Sequence, residues 1–213
     1  MRLAVGLTLV FSVLLSGAVC SAQILDYWGF SNEPQIVNSE LVEVGLVTGT
    51  FSPMTSDPVS FQYTYALEGV LLAEVLPLGP ATVYTFVGGT FSVFEDASFN
   101  AVYDDGACTI SDPATFTDGT LYLQASVDTL TWIVNTVTHR GSYDAVMEYT
   151  GGSHFGELLG HTEGTLFGGT TDQETSACIA AGYAHRWDGQ AFAYEAPVAT
   201  ETNTWGSVKS LYR

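Results

Sequence analysis

The chain has 213 residues, with 23 Asp and Glu against 5 Lys and Arg and a formal net charge of −18. Such an acid excess leaves no basic footprint for nucleic-acid phosphates or for an anionic membrane surface. A 46% hydrophobic content is enough to bury a core, which excludes a disordered chain.

The first element is a leader. Arg2 precedes an apolar run, Leu3 to Leu15, and small residues then lead to Cys20-Ser21-Ala22. The run is shorter than the roughly 20 residues that span a bilayer, so it predicts an export signal over residues 1–22, cut after Ala22. The remainder, 23–213, is then one β domain. Lipid attachment at Cys20 is the rival processing, disfavoured because Val19 stands where a small residue is wanted. Export leaves Cys108 and Cys178 to form a disulfide in an oxidising compartment, with two buried thiols as the alternative. By chain entropy such a link contributes about 4 kcal/mol.

Alternation with a period of two dominates the chain beyond the leader. Strands are predicted over Leu41–Thr48 and over Phe61–Glu68, where Phe61, Tyr63, Tyr65 and Leu67 share a face. Gly69 to Pro80 reads as a long apolar connection. Val83–Val87 and Thr90–Phe94, flanking Gly88-Gly89, read as a hairpin. Leu121–Val127, Thr131–Thr138, Ser142–Tyr149, His161–Phe167, Tyr183–Trp187 and Gln190–Glu195 complete the set, with Asp118-Gly119 and Asp188-Gly189 as turns. About nine or ten antiparallel strands predict an all-β sandwich or closed barrel. Lys209 is the single lysine, so edge protection by lysine is lacking, which favours closure or edges blunted by carboxylates. Trp205, Val208, Leu211 and Tyr212 predict a short C-terminal helical turn docked on the sheet.

No Lys or Arg lies between Arg2 and Arg140, whereas 14 acidic residues do. Those carboxylates are solvated, paired with distant bases, or matched by bound cations. The densest group is Glu95, Asp96, Asp104 and Asp105, with Asn100, Asp112 and Asp118 nearby. It is the oxygen inventory calcium prefers, although the spacing is not that of an EF-hand. His154, Glu157, His161 and Glu163 cluster without the His-Glu-x-x-His zinc pattern. No Gly-x-Ser-x-Gly elbow is present, and Ser153 and His154 are adjacent, which points them apart on a strand. Paired carboxylates for sugar hydrolysis, Glu148 among the candidates, and aromatics that stack on sugar rings are the remaining chemistries.

Gly88–Asp96 with Asn100, Phe116–Leu121, Gly182-Tyr183 with Trp187–Gly189, and the ending Trp205–Arg213 together carry a resemblance. They resemble a group of uncharacterised secreted bacterial β-proteins, some of which bear an exosortase-type (PEP-CTERM) sorting tail. The resemblance implies export and a β fold but no activity. This sequence has no Pro-Glu-Pro signal, so surface sorting by that route is not implied. The expectation is a non-enzymatic exported protein, periplasmic, extracellular or on the cell surface, that is structural or binds a glycan. The alternatives are a small secreted β-fold glycoside hydrolase and a calcium-stabilised adhesion module.

Overall fold

The computed structural model describes residues 21–104, 109–173 and 182–194. It is all-β: β1 (Ser21–Ser31), β2 (Glu40–Thr50), β3 (Gln62–Leu78), β4 (Ala81–Val87), β5 (Thr90–Asp96), β6 (Tyr103–Asp104), β7 (Thr109–Ile110), β8 (Thr120–Asn135), β9 (Arg140–Gly151), β10 (Glu163–Gln173) and β11 (His185–Tyr194). Short 3-10 turns cover Pro113–Phe116 and Phe155–Leu158. Among the described residues no helix is long and apolar enough to cross a membrane.

Nine strands form one antiparallel sheet, and β2 pairs with β3 as well as with β1, so the ladder returns on itself. The result is an unevenly closed barrel, in which β4 and β5 share one position between β3 and β8. Among the described residues β6 and β7 pair only with each other. Alternation sends one set of side chains inward. On β9, Tyr143, Ala145, Met147 and Tyr149 are buried in the main core while Asp144, Val146 and Glu148 are exposed.

The strands are longer than the sequence pattern implies, because several apparent turns are irregularities inside strands. Gly88-Gly89 does not reverse the chain. β4 and β5 run in the same direction, both antiparallel to β3 and to β8, so the predicted hairpin is one interrupted strand. Gly89 has φ +93°, and a Cβ there would lie 2.6 Å from the Glu68 carbonyl oxygen. The glycines therefore carry a kink rather than a turn. Gly69–Pro80 is mostly the outer half of β3 and not a connection. Asp128 is the extra residue of a bulge that joins two predicted strands into β8. Asp188-Gly189 likewise lies within β11, because the barrel interior needs that glycine. A Cβ on Gly189 would collide with the Tyr143 hydroxyl and lie 2.7 Å from that of Tyr27. β1 has no predicted counterpart. Its outward residues Trp28 and Phe30 are as apolar as its inward ones, so alternation is masked. The cysteines at 20, 108 and 178 and the C-terminal turn lie outside the described residues.

Large aromatics fill the interior. Trp132, Trp187, Tyr27, Tyr65, Tyr122, Tyr143, Tyr149, Phe86 and Phe91 are all fully buried. The Tyr143 hydroxyl donates to that of Tyr27 at 2.7 Å, and Tyr143 packs on Trp187 with centroids 4.0 Å apart. A second, outer core of Phe30, Val44, Ala66, Ala101 and Phe116 lies where the segment between β5 and β8 covers β1–β3. Thr64 Oγ1 donates to the Phe116 carbonyl there at 2.8 Å.

One carboxyl sits among the interior tyrosines. Glu43 is 1% exposed and accepts a hydrogen bond from the Tyr65 hydroxyl. Burial pushes it up to about 8, against the partial opposition of that hydrogen bond, from an ordinary value of 4.5. Between those values the unfolded chain releases a proton that the folded chain keeps. Stability therefore falls with rising pH by about 1.4 kcal/mol per unit, and this contribution is gone above the folded value. Glu43→Gln is expected to flatten the decline in Tm between pH 5 and 8; parallel curves for the two proteins would contradict the assignment. Gly189→Ala is expected to destabilise by about 1–3 kcal/mol through overpacking, read by urea unfolding.

Candidate functional site

A filled interior leaves the two barrel mouths and the outer wall for chemistry. At the mouth reached by the end of β2, the strap 51–61 crosses the opening and buries Met54 in the core. Polar contacts clamp it. Glu157, in the turn after β9, accepts from the Thr55 backbone N–H at 2.7 Å and from its hydroxyl at 2.6 Å. The Tyr122 hydroxyl donates to the Thr55 carbonyl at 2.6 Å. The Tyr63 hydroxyl accepts from the Asp57 N–H at 2.9 Å and donates to Glu95 Oε1 at 2.8 Å.

His154 stands between the two acids. Its Nδ1 is 3.0 Å from Glu157 Oε1, its Nε2 is 3.6 Å from Glu95 Oε1, and its ring stacks on Tyr122 at 4.2 Å. Desolvation acts to raise the Glu157 carboxyl, but hydrogen bonds from Thr55 and His154 outweigh it and hold the group below its usual range. Burial pushes the Tyr63 phenol up to about 12.

The opposite mouth holds His185, which is fully buried and edge-on to Trp132 at 4.7 Å. Among the described residues neither ring nitrogen has a hydrogen-bond partner, and Nε2 lies 3.4 Å from Glu33 Oε2. His185 holds the Glu33 carboxyl below its ordinary range, against the desolvation that would raise it. Trp132 Nε1 donates to Thr171 Oγ1 at 2.9 Å.

Grooves among the described residues open on the outer wall. One, of about 340 Å³, is lined by Trp28, Thr48, Arg186, Trp187 and Asp188, where β1, β2 and β11 run side by side. Trp28 and Asp188 are direct cross-strand partners. Burial, and then the charge of Asp26, raises the Asp188 carboxyl. Another groove, of about 560 Å³, lies over β8–β10 and includes Ser126, Asp128, Glu148, Glu163, Thr165 and Tyr194. Glu148 and Glu163 are directly opposed across β9 and β10.

The fold disperses most of the residues singled out in the sequence. Glu95 and Asp96 are neighbours on β5 and alternate in direction. Glu95 faces the strapped mouth, whereas Asp96 is buried and takes the Ser98 N–H at 2.7 Å. Asp104 pairs through its backbone with Thr109 in the β6–β7 ladder, and Asp105 lies outside the described residues. Asn100 donates to Asp118 at 2.9 Å. Among the described residues no three His, Cys, Asp or Glu side chains gather as a metal site. His154 and Glu157 do meet, while Glu163 departs to β10. Thr55, Tyr63, Tyr122, Trp28 and Thr48 carry no motif and are found only through the fold. Comparison with protein-family models, with curated proteins and with solved structures gives no match for this chain.

The clamp gives a direct test. Glu157→Gln is expected to lower hydrogen-exchange protection of the Thr55 amide at least about tenfold, since bonds to a charged acceptor contribute about 1.5–3 kcal/mol. Amides in the middle of β8 and β9 should keep their protection.

Proposed function

We propose that this is an exported, non-enzymatic protein that binds a neutral glycan on the outer wall of its barrel. The observation that carries the reading is the groove beside Trp28. Its size lies within the range of small-ligand sites. The indole of Trp28, partly buried against the outer core, gives this groove an apolar wall. Thr48, Arg186 and Asp188 line the same groove with a hydroxyl, a guanidinium and a carboxylate, groups that match the donors and acceptors of sugar hydroxyls. The packed interior supports an outer site over an enclosed one. The acid excess disfavours nucleic acid and anionic polymers as partners, and the leader is the support for export.

A second reading is a β-fold glycoside hydrolase. It rests on Glu148 and Glu163, directly opposed in the larger groove. Directly opposed strand residues have Cβ atoms about 4.5–5.5 Å apart, and retaining enzymes hold their two carboxyl groups about 5–5.5 Å apart. Glu148 and Glu163 stand on an outward sheet face, so binding without hydrolysis is the reading adopted.

A panel of soluble neutral polysaccharides in affinity electrophoresis tests both readings. Retardation by at least one, weakened tenfold or more in Trp28→Ala, is expected; tenfold corresponds to about 1.4 kcal/mol. No retardation, or retardation indifferent to Trp28, would overturn the proposal. Release of reducing ends that vanishes in Glu148→Gln would establish the hydrolase instead.

A further inference from the structure

We propose that the larger outer groove, over β8–β10, is the docking site of this chain's own C-terminal segment, residues 195–213, with Lys209 and Arg213 set against Glu148, Glu163 and Asp128. The groove has a volume of about 560 Å³ and shares no lining residue with the one beside Trp28. Glu148 and Glu163 oppose each other across β9 and β10, and Asp128 stands exposed on the β8 bulge. Like charges directly opposed on a sheet are destabilising, and a cation seated between them removes that cost.

The described part of the barrel has no Lys or Arg to place there. Its basic residues of those types are Arg140 and Arg186. Arg140 pairs with Asp172 at 2.8 Å, and Arg186 lines the groove beside Trp28. Beyond Arg186 the sequence supplies Lys209 and Arg213, which lie outside the described residues.

The point of departure suits this assignment. Tyr194, the last residue of β11, lines the groove, and its hydroxyl shares a hydrogen bond of 2.7 Å with Thr165 Oγ1. The chain therefore leaves the barrel at the rim of the groove. Lys209 lies 15 residues further on. Extended chain of that length reaches roughly 50 Å, whereas three neighbouring strands span about 15 Å, so reach is no obstacle. Exposed ion pairs alone contribute little, and apolar contact must supply the rest. Val146, 50% exposed in the groove, offers that contact to Trp205, Val208, Leu211 and Tyr212 of the same segment. With the segment in place the Glu148–Glu163 pair is covered in cis, and an external sugar is left the groove beside Trp28.

The test uses the single lysine. A carbodiimide joins a carboxyl to an amine as an amide and takes up the water that is lost, so apart from the N-terminal amine it can act only at Lys209. Links from Lys209 to Glu148, Glu163 or Asp128 are expected in the monomeric full-length chain, located by mass spectrometry after digestion. They should fade in 1 M salt, where the screening length falls to about 3 Å. Trp205→Ala should lower their yield by roughly two- to tenfold through the lost aromatic contact. Val146→Asp, which leaves the three acids in place, should lower it as well, and circular dichroism checks that each variant keeps its strands. Links confined to Glu195 and Glu201, the sequence neighbours of Lys209, would overturn the proposal. So would links found only in covalent dimers, a yield indifferent to both variants, or no link at all.

Discussion

A closed ring of strands filled with aromatic side chains is the constraint on which the rest of this structure depends. Tyr27, Tyr65, Tyr143, Trp132 and Trp187 cannot share the interior of a small barrel unless the wall gives way around them. It does so at Gly29, Gly45 and Gly189, whose missing side chains make room for the Tyr65 ring and for the Tyr27–Tyr143 pair. Closure in turn depends on bulges and kinks, at Asp128 and at Gly88-Gly89, that let long strands bend. Among the described residues the interior is occupied by these aromatic side chains. Chemistry is therefore displaced to the mouths and the outer wall.

The same packing explains how charge is distributed. Glu43 is tolerated inside because it stays protonated and accepts from Tyr65. Asp144, Glu148 and Glu163 on the β9–β10 surface face water, whereas Asp96 on β5 is buried and takes the Ser98 N–H. The Arg140–Asp172 pair at 2.8 Å is largely exposed, so it contributes little to stability. Glu148 opposite Glu163 is mildly unfavourable by like-charge repulsion. These exposed carboxylates give the outer surface a negative potential.

Much of the β character was legible in the sequence, because alternation survives wherever one face of a strand meets water, as on β9. The connectivity was less legible. Gly88-Gly89 and Asp188-Gly189 are turn signals in isolation, but in this fold they mark a kink facing Val70 and a gap filled by tyrosines, whereas Asp118-Gly119 does lie in a bend between elements. β1 was hidden because its outward Phe30 and partly buried Trp28 pack on the outer core around Phe116 and are as apolar as its inward residues. The strapped mouth was the least accessible to sequence reasoning. Thr55 and Glu157 are 102 residues apart, and Glu95 comes from a third segment. His154 and Glu157 stood out as a pair, but their partners are supplied by closure of the barrel.

The central claim is that the interior is packed and that recognition takes place on the outer wall beside Trp28. The most direct measurement is a heteronuclear NMR titration of the isotope-labelled chain with a soluble neutral oligosaccharide. The account predicts shift changes confined to the outward residues of β1, β2 and β11 around Trp28, with the Tyr27, Tyr65 and Tyr143 rings unmoved. Changes centred on those interior rings would contradict it.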